Sequence, residues 1–156
     1  MVAGKLDRNS PSRLLYHVSV GVCDMPKARA FYETTMAAIG CRLLHQVKDE
    51  EGKPTALGWG RLFPELWINV PLDGREAMPS NGAHVALFAA DKAAVDLFHS
   101  VALSAGGSDD GAPGYRREYQ PGYYAAFVRD PDGNKPEVVW HDIDRPRTAL
   151  IQAVTR

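Results

Sequence analysis

The chain has 156 residues, 45% of them hydrophobic and 24% charged, with a formal net charge of −1. That length suits one domain with a sizeable core, and the near-neutral balance speaks against electrostatic capture of nucleic acid or of an anionic membrane. Two cysteines (Cys23, Cys41) are too few for a disulfide framework, no apolar run reaches membrane-spanning length, and residues 1–13 lack the apolar stretch of a signal peptide; a cytoplasmic protein is expected.

Beyond that polar tail, an alternating run at 15–22 predicts a strand. Asp24 follows as a helix N-cap ahead of Met25-Pro26, and Ala28, Phe31, Thr35 and Ala38 mark one stripe of a helix that ends at Gly40, a left-handed C-cap position. Strands are predicted at 41–47, 55–61 and 65–70, then a linker at 71–82. From residue 83 the pattern starts again. Shifted by 67 positions, His17, Val18, Asp24, Phe31, Ala38 and Gly40 fall on His84, Val85, Asp91, Phe98, Ala105 and Gly107. Six identities in 24 positions exceed the roughly one or two expected from typical composition, which marks an internal repeat. The second copy then predicts a strand at 83–89, a helix with Val95, Phe98, Ala102 and Ala105 inward, a weaker strand near Ser108, and strands at 123–129 and 136–141. Asp130-Pro131-Asp132-Gly133 joins the last two as a turn. A further short helix is expected at 149–154, inside a tail at 142–156.

The expected fold is therefore α+β: two βαβββ modules (14–70 and 83–141) in one domain, related by a pseudo-two-fold and forming an open half-barrel cleft. Strand side chains alternate between faces, so His17 lies opposite the core-facing Val18, Val20 and Val22, and His84 matches it. Pro64-Glu65-Leu66 resembles Pro136-Glu137-Val138, which pairs Glu65 with Glu137 at an offset of 72. Each copy then offers one histidine and one glutamate. Together, His17, Glu65, His84 and Glu137 are the donor types that hold Zn, Ni, Mn, Co or Fe. The segment 111–124 is rich in Gly, Pro and Tyr, and reads as a cleft wall where Arg116, Tyr119 and Tyr124 contact a substrate. His45, His99 and His141 have no matching partner and read as surface groups. No phosphate-binding glycine loop, Ser-His-Asp order or Cys-His nucleophile pattern is present.

These features resemble the glyoxalase / bleomycin-resistance / extradiol-dioxygenase (vicinal oxygen chelate) superfamily. The likeness spans residues 14–141 and rests on the paired modules, the register-matched His17 and His84, and Asp130-Pro131-Asp132-Gly133-Asn134 leading to Glu137. It implies that His17, His84 and Glu137 ligate one divalent metal ion, that Glu65 adds a fourth ligand as in the glyoxalase I branch, and that Glu137 acts as general base. Glu65-Leu66-Trp67-Ile68-Asn69 is similar to a segment of that branch, which brings in Trp67 and Asn69 as substrate contacts. Two departures stand out. Glyoxalase I enzymes carry an arginine four residues after the first histidine, where this chain has Gly21. Bulky Trp67 also shares the face of Glu65, and were it to take the ligand slot, a two-histidine, one-carboxylate set would remain. The resemblance implies a lyase- or isomerase-type proton transfer on a small oxygen-chelating metabolite, by a homodimer. Its alternatives are a non-catalytic binding protein of the antibiotic-resistance kind, and an Fe(II) dioxygenase-like activity.

Overall fold

The computed structural model describes residues 15–142, and the repeat is plain in its element order. The first module holds β1 (Val18–Gly21), α1 (Met25–Ala38), β2 (Arg42–Lys48), β3 (Pro54–Gly60) and β4 (Leu66–Asn69). The second holds β5 (Val85–Phe88), α2 (Lys92–Ser104), β6 (Ser108–Tyr115), β7 (Tyr123–Arg129) and β8 (Pro136–His141). Each module forms its own open sheet, ordered β1-β4-β3-β2 and β5-β8-β7-β6, with the first strand at one edge and parallel to the last. The tail 1–13 and the helix expected at 149–154 lie outside the described residues. No helix among the described residues is long and apolar enough to cross a membrane.

Local sequence explains both helices. Asp24 accepts a hydrogen bond from the Lys27 amide at 3.0 Å, and Asp91 accepts one from the Ala94 amide at 2.8 Å, each satisfying an orphan donor of the first turn. The stripes Ala28–Phe31–Thr35 and Val95–Phe98–Ala102 are buried against the sheets and against each other, in one core that spans both modules. Truncating Phe31, fully buried at the junction of the helices, would cost about 3–5 kcal/mol. The helix ends depart from the expected symmetry. Gly40 takes the left-handed conformation (φ 73°), but in the second module Gly106 does so (φ 91°), because α2 is one residue shorter than α1. Gly107 serves a different need. A Cβ there would stand 2.6 Å from the Arg129 carbonyl oxygen and 2.7 Å from Phe31 Cε2, so glycine is what lets the modules approach.

The modules are latched reciprocally. On β1 the Val18 and Val22 amides bond to the β4 side, which turns the peptide groups of Ser19 and Gly21 to the free edge. There the Asn134 Nδ2 donates to the Gly21 carbonyl at 2.9 Å. At the matching place on β5, Arg61 donates to the Phe88 carbonyl at 3.2 Å. The turn 130–134 is thus more than a connector. Asp130, buried, accepts from the Tyr32 hydroxyl of α1 at 2.8 Å, from Asn134 Nδ2 at 2.9 Å, and from the amides of Asp132 and Asn134. Asp132 in turn accepts from the Cys23 amide at 2.9 Å. Between the two free edges a crevice of about 330 Å³ remains, with Val20 and Leu87 on its walls and Tyr32 among its lining.

Candidate functional site

Alternation along the strands assigns the faces. Leu57, Trp59, Leu66, Ile68, Ala126, Val128 and Val138 face the helices and are buried. The opposite, concave face carries Ser19, Gly58, Trp67 and His45 as one cross-strand row in the first module. The matching row of the second module is Ala86, Glu137, Phe127 and Gly111.

Glu137 is the centre of the second row. Its side chain is 2% exposed, unusual for a carboxylate without compensation. Two partners supply that compensation: His84 Nε2 lies 3.1 Å from Oε2, and the Tyr123 hydroxyl donates to Oε1 at 2.5 Å. Burial, reinforced by the Glu137 charge, pushes the Tyr123 phenol well above its ordinary range, so it remains a donor at any physiological pH. The rest of this face is aromatic and cationic. The Arg116 guanidinium sits 5.6 Å and the Lys135 ammonium 4.9 Å from the Phe127 ring centroid, the Tyr119 ring packs on Tyr123, and His141 meets Tyr123 edge-on.

Several expected positions are brought here and others are not. His84, Glu137, Arg116 and Tyr119 share the concave face of the second sheet, with His141 at its rim. Tyr124 does not. One residue out of phase with Tyr123, it points to the helix side, where its hydroxyl donates to Asp96 of α2 at 2.8 Å. Tyr123 is the residue that sequence reasoning missed, although 123, 125 and 127 share the parity opposite to the core-facing 126 and 128. His99 is not a free surface group either, since its Nε2 lies 2.8 Å from Asp109 with only 12% of the side chain exposed.

The first module corrects the pairing of Glu65 with Glu137. Val18 pairs with Leu66 and Val85 with Pro136, so the offset is 70, and Trp67, opposite Ser19, holds the place that Glu137 holds opposite Ala86. The shared Pro-Glu dipeptide does not mark equivalent positions, because the turn before β4 is shorter than the turn before β8. Glu65 lies just before β4, exposed, and its main chain bonds to Val18 and Trp59. Trp67 is flanked by His17, ring centroids 6.3 Å apart, and by His45, 5.6 Å apart. Asn69 follows on the same face. Gly21 packs closely on the linker: a Cβ there would stand 3.2 Å from Ala77 Cβ, so a larger side chain would need Ala77 to shift by a few tenths of an ångström.

His17, Glu65, His84 and Glu137 therefore do not converge within one chain, and among the described residues no group of three or more His, Cys, Asp or Glu is placed to hold a metal ion. The donor chemistry nonetheless fits in kind. His84 Nε2 and Glu137 Oε2 are one imidazole and one carboxylate at adjacent positions, with the Tyr123 hydroxyl fixing the second carboxylate oxygen, the arrangement of a ligand pair with its outer support.

Comparison with known proteins agrees with this fold. Residues 14–138 match the family model described as Glyoxalase/Bleomycin resistance protein/Dioxygenase superfamily. A glyoxalase/bleomycin resistance protein from Albidiferax ferrireducens is similar at 26% identity and a TM-score of 0.69, over 81% of this chain and 98% of that one. A lactoylglutathione lyase from Agrobacterium tumefaciens (22%, TM-score 0.54, 83% and 94%) and a family enzyme from Burkholderia phytofirmans (21%, TM-score 0.58, 79% and 94%) share the fold. No curated protein matches the chain. With most of its described length covered by the family model, the chain belongs to the glyoxalase/bleomycin resistance protein/dioxygenase superfamily.

Proposed function

We propose that the chain is a metal-dependent enzyme of glyoxalase type, catalysing proton transfer on a small oxygen-chelating metabolite. The observation that carries this reading is the buried Glu137 carboxylate, held by His84 on one oxygen and Tyr123 on the other, on an open concave face. His84 and Glu137 would hold one divalent ion (Zn, Ni, Mn, Co or Fe), and the partner's His17 would complete the set in a homodimer whose two sites each draw on both subunits. The ion would supply Lewis-acid stabilisation of developing negative charge on substrate oxygen. Glu137 takes the substrate proton as general base, and the Tyr123 hydroxyl orients it. Gly21, packed under Ala77, supplies no cation for a glutathione carboxylate, so the substrate is not expected to be a glutathione adduct.

A second reading is favoured by Trp67. With a ring in the fourth position, the remaining two histidines and one carboxylate are the set of Fe(II) oxygen chemistry. Metal analysis tests both. Purified protein should carry about one ion per chain, and His17→Ala and His84→Ala should each lose most of it. Retention in both variants refutes the site. Oxygen uptake with a catechol separates the readings. Mixing His17→Ala with Glu137→Ala protein under subunit exchange should restore some metal binding if the site is shared, and none if it lies within one chain.

A further inference from the structure

We propose that Trp67 is a stacking platform for an aromatic ring of the substrate, so that this chain acts on aromatic compounds bearing neighbouring oxygens rather than on short aliphatic ones. The inference rests on the preceding reading that the concave faces form the substrate site. Its own support is geometric. Trp67 stands in the register position of Glu137, where a carboxylate would have faced the ligand. Its neighbours on the strand, Leu66 and Ile68, are buried toward the helices, whereas Trp67 is half-buried on the other side. The orientation of the indole follows from Gly58, its cross-strand partner. A Cβ on Gly58 would stand 2.7 Å from Pro64 Cβ, 2.8 Å from Trp67 Cε2 and 2.9 Å from Trp67 Cδ2. The two Trp67 atoms form the bond shared by the rings of the indole, and no approach in the ring plane reaches both before the outer ring atoms. The indole therefore lies with one face down on the sheet, where only glycine leaves space, and turns its second face away from it. The His17 and His45 rings lie 6.3 and 5.6 Å from it, centroid to centroid, at 61° and 58° to its plane, so neither is stacked parallel on the indole. A flat apolar surface bounded by two imidazoles suits a planar aromatic ring, held by stacking and hydrogen-bonded at its rim.

The test uses full-length protein, as purified and again after EDTA treatment, and measures binding of 2,3-dihydroxynaphthalene and of hydroxyacetone by calorimetry. Trp67→Leu is expected to weaken dihydroxynaphthalene about three- to tenfold, the range for a lost aromatic pair. Hydroxyacetone affinity and metal content should be unchanged. Trp67→Phe should recover part of the loss, which keeps the test valid if the leucine variant folds poorly. Gly58→Ala, whose Cβ would press on both Pro64 and the indole, should weaken the same probe. The effect should persist after EDTA treatment, so that failure of the metal reading alone leaves the platform standing. Absence of dihydroxynaphthalene binding by the wild-type protein overturns the proposal. So does an equal effect of Trp67→Leu on both probes, or none on either.

Discussion

Replacing Tyr32 by phenylalanine removes one hydroxyl from the latch between the modules and leaves the ring in place. Tyr32 is 2% exposed, and its hydroxyl donates at 2.8 Å to Asp130, itself 4% exposed. A hydrogen bond to a charged group contributes about 1.5–3 kcal/mol, and Asp130 Oδ2 would retain only the Asn134 amide. At the size of this chain that corresponds to a fall in Tm of about 4–9 °C. The pH dependence follows from Asp130. Burial raises its carboxyl above the ordinary value, while the Asn134 and Tyr32 bonds oppose that rise. A raised folded-state value means that the folded protein binds more protons than the unfolded one between the two values, so this group favours folding as pH falls through that window. Losing the Tyr32 bond raises the folded-state value further. The penalty of Tyr32→Phe is therefore full near neutrality and shrinks as pH falls toward the unfolded carboxyl value of about 3.9. Thermal unfolding of both proteins from pH 7 to pH 4 measures it. A penalty below about 0.5 kcal/mol, well under the range for such a bond, or one that is flat with pH, would refute the account of Asp130 as an ionised, tyrosine-bonded latch.

Gly107→Ala should cost more than Gly40→Ala by chemical denaturation: a Cβ at 107 meets backbone at 2.6 Å, beyond the usual overpacking cost of about 1–3 kcal/mol, while 40 has open space and only the left-handed penalty of about 1–2 kcal/mol. Asp109 is held below its ordinary value chiefly by the His99 hydrogen bond, so this pair favours folding above the unfolded carboxyl value and loses that effect as pH falls through the lowered one. His99→Ala should flatten the acid limb of the stability profile; an unchanged limb would contradict the pairing. Trp67→Glu should place a second carboxylate in the matching register position and raise metal affinity, by roughly tenfold or more for an added anionic ligand, as read by competition with a chelator. An unchanged affinity would show that position 67 does not face the ion.

Most of the fold was legible in the sequence because a duplicated pattern constrains itself. Asp24 and Asp91 are the same cap, Phe31 and Phe98 the same core contact, and strands 123–129 and 136–141 fall where alternation places them. Two of the failures share one physical origin, a small change in length. A helix shorter by one residue moved the left-handed glycine from 107 to 106, and unequal turns moved the equivalent of Glu137 from Glu65 to Trp67. In a strand, an error of one residue reverses the face, which is how Tyr124 stood in for Tyr123. The separation of His17 from His84 and Glu137 within one chain was not legible at all. Two modules of the same pattern can pack with their concave faces together or apart, and what decides is the set of contacts at the helices and edge strands.

Those edge strands carry a consequence for the solution behaviour of the protein. An unpaired edge is a template on which a second molecule can add a strand and begin an aggregate. Here β1 and β5 are each four residues long, and on each the last outward carbonyl is already occupied by a side chain from the other module, Asn134 on Gly21 and Arg61 on Phe88. Little more than one outward peptide group per strand, at Ser19 and at Ala86, remains for an incoming strand. The contacts that position the modules thus also blunt these two edges, and damage to either turn would open them to self-association as well as loosen the fold.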